Sequence, residues 1–214
     1  MLKSLPDEDA KLLLRASKVN TYARRETLVQ EGEPSDSFHI VLAGRVAVRI
    51  ARASGVTAIV NILGPDEHFG EVSLLADSTP QRTASIIALE PVRTLSIPAS
   101  VFHELRDRNP RLERLVTQLL ARRIDELSAL LVEAMYDPLD RRVLRRLAAL
   151  TITYATSHEQ VTIPLTQDEL AELVGGTRPS VNQILRRLVD EGVIEVRRGR
   201  ITVLDPADLR RVAD

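Results

Sequence analysis

The rhythm of apolar and polar positions changes along the chain. From about Thr21 to Pro98, runs such as FHIVLAGRVAVRI and GVTAIVNILG alternate or cluster apolar residues, with Gly32, Gly44, Gly55, Gly64 and Gly70 recurring between them. β-branched residues in short runs between glycine turns predict short antiparallel strands folded as a sandwich or roll. Ahead of them, Pro6 followed by Asp7, Glu8 and Asp9 predicts a short helix, because proline suits the first helical position and acids suit its positive end. After Pro98 the period lengthens. Asn109-Pro110 punctuates, and RLERLVTQLLARRIDELSALLVEAMY then runs to Asp137-Pro138 with no internal glycine or proline, which predicts one long helix. Leu120, Ile124, Leu127, Leu131 and Ala134 step by four and three, the spacing of a coiled-coil seam. Leu112, Leu115, Val116 and Leu119 form a second stripe directed at the β-rich part. Two apolar stripes need two partners, so the helix is expected to pair with a second copy; an ordinary buried helix within one domain is the alternative.

Past Asp137 the pattern is helical again through DPLDRRVLRRLAAL, and a short strand, QVTIPL, follows a polar loop. Thr166-Gln-Asp-Glu169 has the form of a capping box. The helix it opens stops at Gly175-Gly176, and Thr177 caps a second helix, RPSVNQILRRLVDEG. Two short helices joined by a glycine turn make a helix-turn-helix, and VIEVRRGRITVL adds two strands around a basic glycine turn: together, a winged helix. In the second helix Val181, Ile184, Leu185 and Leu188 share one face and are expected in the core. Arg178, Ser180, Asn182, Gln183 and Arg186 occupy the other face, concentrated toward the helix start, where a recognition helix meets the major groove. Arginine can pair with guanine, and asparagine or glutamine with adenine. At the wing tip Arg197, Arg198 and Arg200 suit phosphates. A solvated helix face with a basic hairpin is the plainer alternative.

Bulk properties narrow the classes. At 214 residues and 44% hydrophobic content the chain can bury one large core or two modest ones. The formal net charge of -1 offers no global argument for nucleic acid, so any such argument rests on where the charges lie. Cysteine is absent, which removes disulfides, thiol nucleophiles and zinc–cysteine or iron–sulfur sites. Neither a leader-like N-terminus nor a membrane-length apolar run is visible, so a cytoplasmic protein with no membrane partner is expected. The four histidines are scattered, and no metal site is expected. No nucleophile–base pair or paired carboxylates can be assembled, so no enzyme is expected.

One stretch carries candidate chemistry. FGEVSLLADSTPQRTAS places a glycine, a carboxylate, an arginine and hydroxyls close together. Gly70 lets backbone amides approach an anion, Arg82 would neutralise a phosphate with paired donors, and Thr83 would add a hydroxyl. Glu71 fits beside a phosphate only if it accepts from something else, such as a ribose hydroxyl. An Arg82–Glu71 ion pair at a helical turn is the alternative.

A β-roll holding FGE…SLL…RTAS, then a long helix, then a C-terminal winged helix resembles the cyclic AMP receptor protein/FNR (CRP/FNR) family of bacterial transcription regulators. The match runs in order over essentially the whole chain. The resemblance implies an α+β fold: an antiparallel, jelly-roll-like cyclic-nucleotide-binding β-roll over 1–109, a dimerisation helix over 110–136 and a winged helix-turn-helix DNA-binding domain over 137–214. It implies a cyclic nucleotide, cyclic AMP or another, as effector, met by Gly70, Glu71, Val72, Arg82 and Thr83 with Ser128 on the dimer helix. It implies a homodimer bound to an inverted-repeat duplex through Thr166, Arg178, Ser180, Asn182, Gln183, Arg186, Arg198 and Arg200, and RNA polymerase as a further partner. Leu127-Ser128 stands where cyclic AMP-binding members carry Thr-Ser. Pro179 and Gln183 replace a base-reading glutamate and arginine, so the DNA site is expected to differ from the family's best-known ones. Two alternatives stay open: a regulator active without effector, and a ligand-sensing module whose C-terminal domain binds protein.

Overall fold

The computed structural model describes residues 7–75, 81–155 and 160–213, and the chain divides into two compact units, one of residues 1–56 and 60–128, the other of residues 57–59 and 129–214. The order begins α1 (Asp7–Ala16), β1 (Lys18–Tyr22), β2 (Thr27–Val29), β3 (Ser37–Ala43), β4 (Val46–Ala51), β5 (Thr57–Leu63), β6 (His68–Phe69), α2 (Glu71–Leu74), β7 (Ser85–Ala88) and β8 (Val92–Pro98). It continues α3 (Ala99–Arg108), α4 (Pro110–Tyr136), α5 (Leu139–Thr153), β9 (Val161–Ile163), α6 (Gln167–Val174), α7 (Arg178–Asp190), β10 (Ile194–Arg197), β11 (Arg200–Val203) and α8 (Pro206–Ala213).

The β-rich unit holds two four-stranded sheets, ordered β1-β8-β3-β6 and β2-β7-β4-β5. Alternation along β3 and β8 sorts side chains to two cores. Phe38, Ile40, Leu95 and Ile97 pack against helices, with Leu13 of α1, Phe102 and Leu105 of α3, and Val116 of α4. Val41, Val46, Leu63, Phe69, Ile86, Ala88 and Val92 form the second cluster, inside the roll. On the faces of β3 and β8 opposite the helical core, His39 and Thr94 are buried polar residues.

Helix α3 is absent from the expectations. Pro98 at its N-cap and Asn109 at its C-cap bound it, and Phe102 and Leu105 anchor it. Helix α8 is likewise unanticipated; Asp205 starts it by accepting from the Ala207 and Asp208 amides, both at 2.9 Å. The long helix divides its stripes differently from the expected seam. Val116 is buried and Leu120 packs half-buried on the helical core of the β-unit, so Leu120 belongs to the inward stripe. Farther along α4, Ile124, Leu127, Leu131, Val132, Met135 and Tyr136 are exposed apolar residues. The side chains of Leu112 and Leu115 lie outside the described residues.

In the C-terminal unit β10, β11 and β9 form an antiparallel sheet. Val143, Leu147, Leu170, Val174, Val181, Leu185, Leu188, Ile194 and Ile201 are buried. Expected core member Ile184 is only half-buried. The turn between α6 and α7 is made by Gly175 in the left-handed conformation, φ 62°.

Candidate functional site

A cavity of about 460 Å³ opens in the β-unit, walled by strand residues such as Val48, Ile50, Val60 and Leu63, by the segment 66–72, by Arg82, Thr83 and Ala84, and by Leu119, Arg122, Arg123, Glu126 and Leu127 of α4. Arg82 is 5% exposed. It follows residues 76–80, which lie outside the described residues, as does most of the long loop ADSTPQ. Its backbone is tied on both sides, donating to the Glu33 carbonyl at 2.8 Å and accepting from the Gly32 amide at 2.9 Å. Its guanidinium donates from Nη1 to the Ser37 carbonyl at 2.8 Å, and from Nη2 to the Ser37 hydroxyl at 2.9 Å and Asp36 Oδ1 at 3.3 Å. Three of five N–H donors are thus engaged in fixing the fork within the cavity wall. Burial pushes the Arg82 pKa down, and the Asp36 carboxylate opposes that. Asp36 in turn is held below the ordinary carboxylate value, chiefly by the hydrogen bond it accepts from Ser37 and against desolvation.

The Arg82–Glu71 ion pair, the plainer reading of the motif, is not formed: Arg82 pairs with Asp36. Glu71 Oε2 is buried without a hydrogen-bond partner among the described residues. A buried carboxylate oxygen with no donor is costly, by about 1–3 kcal/mol, and marks a place for a hydroxyl or amide from elsewhere. Gly70 explains how the two groups come together. Its φ is 98°, and a Cβ there would sit 2.7 Å from Arg82 Nη1 and 2.8 Å from the Ser37 carbonyl. Only glycine lets the backbone pass this close.

Ser37, Asp36 and His39 escaped the sequence reading, since they lie about 45 residues before Arg82. Ser37 donates its hydroxyl proton to Asp36 Oδ1 at 2.7 Å, so it accepts both from Arg82 and from His39 Nε2, 2.9 Å away. That assigns the His39 proton to Nε2. The ring stacks on Phe69 with centroids 4.7 Å apart. Burial, and secondarily the Arg82 charge, push the His39 pKa down to about 4, so the ring is neutral at neutral pH.

The remaining expected ligand residues divide. Val72 and Thr83 are exposed on the cavity wall. Ser128 is not on that wall; it is exposed, and its hydroxyl donates back to the Ile124 carbonyl at 2.8 Å. Leu127, its neighbour, is on the wall.

In the C-terminal unit Thr166 closes the predicted capping box: its hydroxyl accepts from the Glu169 amide at 3.1 Å, and the Glu169 carboxylate accepts from the Thr166 amide at 2.6 Å. Thr177 caps α7 by accepting from the Ser180 amide at 3.4 Å, with the two hydroxyls 2.9 Å apart. Arg178, Ser180, Gln183 and Arg186 are exposed on α7, and Asn182 is half-buried at the edge of that face. Arg178 is held toward α6 by Asp168, Nε to Oδ1 at 3.3 Å. Arg198 and Arg200 are exposed at the tip of the β10–β11 hairpin, while Arg197 is drawn to Glu195 at 3.1 Å. Pro206 at the first position of α8 and the basic hairpin close the winged helix.

Residues 19–109 match the cyclic nucleotide-binding domain family, and residues 141–212 match the Crp-like helix-turn-helix domain family. The chain belongs to the CRP/FNR family. Among CRP/FNR relatives, the "CRP-like cAMP-activated global transcriptional regulator" of Mycobacterium tuberculosis is 29% identical over 90% of this chain and 86% of its own. The "Cyclic AMP receptor protein" of Thermus thermophilus is 28% identical over 100% of this chain and 96% of its own. A CRP/FNR transcriptional regulator from the same organism shares the fold with a TM-score of 0.76, at 24% identity, over 92% of this chain and 98% of that one. Like the rest of the CRP/FNR family, this protein is a DNA-binding transcription regulator. No helix among the described residues is long and apolar enough to cross a membrane.

Proposed function

We propose that the protein is a homodimer that binds an inverted-repeat duplex and is controlled by a 3′,5′-cyclic nucleotide in the β-unit cavity, cyclic AMP or a close relative. The observation that carries the ligand half is Arg82: a nearly fully buried guanidinium fixed by Ser37 and Asp36 in the wall of a cavity. A buried cation with donors left over favours an anion, and a planar fork suits a phosphate. The unpartnered Glu71 Oε2 beside it suits a sugar hydroxyl, the donor a nucleotide supplies next to its phosphate. Gly70, Glu71, Val72, Arg82 and Thr83 would hold the cyclic phosphate and ribose; Ser128 would reach a base only from the partner copy.

Residues 1–109 then serve as the effector domain, 110–136 as the dimerisation helix and 137–214 as the DNA-binding domain. Ile124, Leu127 and Leu131, at helical spacing and exposed, support a self-complementary seam. On the DNA side α7 would enter the major groove by its N-terminal end, Arg178, Asn182 and Gln183 reading bases and Ser180, Arg186, Arg198 and Arg200 meeting phosphates, with Thr166 at the start of α6 against the backbone. RNA polymerase is the further partner such a regulator would engage.

Calorimetry with cyclic AMP and cyclic GMP on the full chain and on Arg82→Ala tests the ligand half. Binding by the wild type and none by the variant is expected; equal binding by both removes Arg82 from the site. Selection from random duplexes tests the DNA half, with an inverted repeat expected and no enriched palindrome contradicting it.

A further inference from the structure

We propose that the cavity prefers a guanine-bearing cyclic nucleotide over its adenine counterpart, with Glu126 and Arg123 of α4 reading the base; this rests on the cyclic-nucleotide reading of the cavity. The α4 wall is the side chemically unlike the Arg82 end. It presents Leu127, which can neither donate nor accept, beside the Glu126 carboxylate and the guanidinium groups of Arg122 and Arg123. Arg123 Nη1 donates to Glu126 Oε2 at 3.2 Å, one helical turn apart, so the two groups hold each other at the cavity.

The two purines offer different edges. Guanine presents two adjacent donors, N1–H and the N2 amine, beside the O6 acceptor. Adenine presents the N6 amine beside the bare N1 acceptor. A carboxylate is acceptor-only, with two parallel oxygens. It matches the two guanine donors, whereas against adenine one of its oxygens faces the N1 lone pair. Arg123 completes the match, since guanidinium donors pair with guanine O6 and N7. Val48, Val60 and Leu63 supply apolar wall for the faces of a purine ring.

Exposure sets the size of the effect. The Glu126 side chain is 60% exposed, so an unmatched base costs it only part of its hydration. Discrimination should therefore be about tenfold, not the thousandfold that a fully buried mismatch would give.

Calorimetry on the full chain with cyclic GMP and cyclic AMP, repeated on Glu126→Gln, decides the matter. The wild type should bind cyclic GMP about tenfold tighter than cyclic AMP. Glu126→Gln should lose about tenfold for cyclic GMP, bind cyclic AMP at least as tightly as the wild type because an amide can accept from N6 and donate to N1, and melt as the wild type does, because the side chain is exposed. Tighter or equal binding of cyclic AMP by the wild type overturns the proposal and leaves the cyclic-nucleotide reading standing. An unchanged preference in Glu126→Gln overturns Glu126 as the reader. Binding of neither nucleotide overturns the underlying reading and the proposal with it.

Discussion

Replacing Gly70 with alanine probes the geometry that brings Arg82 and Glu71 together. Two costs add. The first is backbone strain: φ at Gly70 is 98°, beyond the left-handed region that alanine tolerates, which costs about 1–3 kcal/mol. The second is contact. The new Cβ would lie 2.8 Å from the Ser37 carbonyl, and Ser37 is paired through β3 with Pro98, so that strand cannot retreat. The same Cβ would lie 2.7 Å from Arg82 Nη1, so the guanidinium must move off it and loses the 2.8 Å bond from Nη1 to that carbonyl, a charged hydrogen bond worth about 1.5–3 kcal/mol. The expected destabilisation of the β-unit is about 3 kcal/mol or more. Gly55→Ala is the matched control: its φ is 83° with nothing within 4 Å of the added Cβ, so it carries strain alone. Hydrogen exchange read by peptide localises the effect. Gly70→Ala should lower protection in residues 37–43 and 85–88 while leaving 178–190 unchanged, and should abolish nucleotide binding; Gly55→Ala should do much less and bind normally. If Gly70→Ala matches Gly55→Ala in both protection and nucleotide affinity, Arg82 is not clamped against that backbone and the argument fails.

Leu131 is 61% exposed; with full burial of a leucine worth about 1.5–3 kcal/mol, seating both copies stabilises a dimer by about 2–4 kcal/mol, so Leu131→Ala should weaken dimerisation about 30- to 1,000-fold by sedimentation equilibrium. His39, with its folded pKa lowered to about 4 against an ordinary 6.5, stabilises the fold fully above pH 6.5 and loses that contribution as pH falls toward 4, to a maximum of about 3 kcal/mol. Urea unfolding of the β-unit should therefore show stability dropping from pH 7 to pH 4.5, with a shallower drop in His39→Gln; parallel slopes would contradict the burial argument. In DNA binding, Arg178→Ala should cost about 1–3 kcal/mol and relax the preference at one base pair, whereas Arg198→Ala should weaken all sequences alike and reduce the salt slope by about one; quantitative gel shifts across salt concentrations separate the two.

The sequence announces those features whose causes are local. Glycine turns and β-branched alternation mark the roll, and Thr166 with Glu169 signals the capping box that the structure closes. Arg178 and Gln183 fall on the exposed face because Val181, Leu185 and Leu188 must turn inward. Features set by distant pairing stay hidden. Nothing near Arg82 foretells that Ser37 and Asp36 will hold it, because only the fold brings β3 to that side chain. Leu120 satisfies the seam spacing and the inward stripe equally, and packing against the helical core that holds Phe102 and Leu105 of the unforeseen α3 decides its side. Local signals for α3 and α8 did exist, in Pro98 with Phe102 and Leu105 and in Asp205-Pro206. The first is short, and strand patterning just before it masks it.

The most direct measurement is the affinity of the full chain for its selected palindrome with and without saturating cyclic nucleotide, for the wild type and for Arg82→Lys, which keeps the charge but not the fork. Coupling between the two sites predicts that the nucleotide changes wild-type DNA affinity by about 5- to 150-fold and leaves the variant unmoved. DNA affinity indifferent to nucleotide in the wild type, or shifted equally in both proteins, would contradict it.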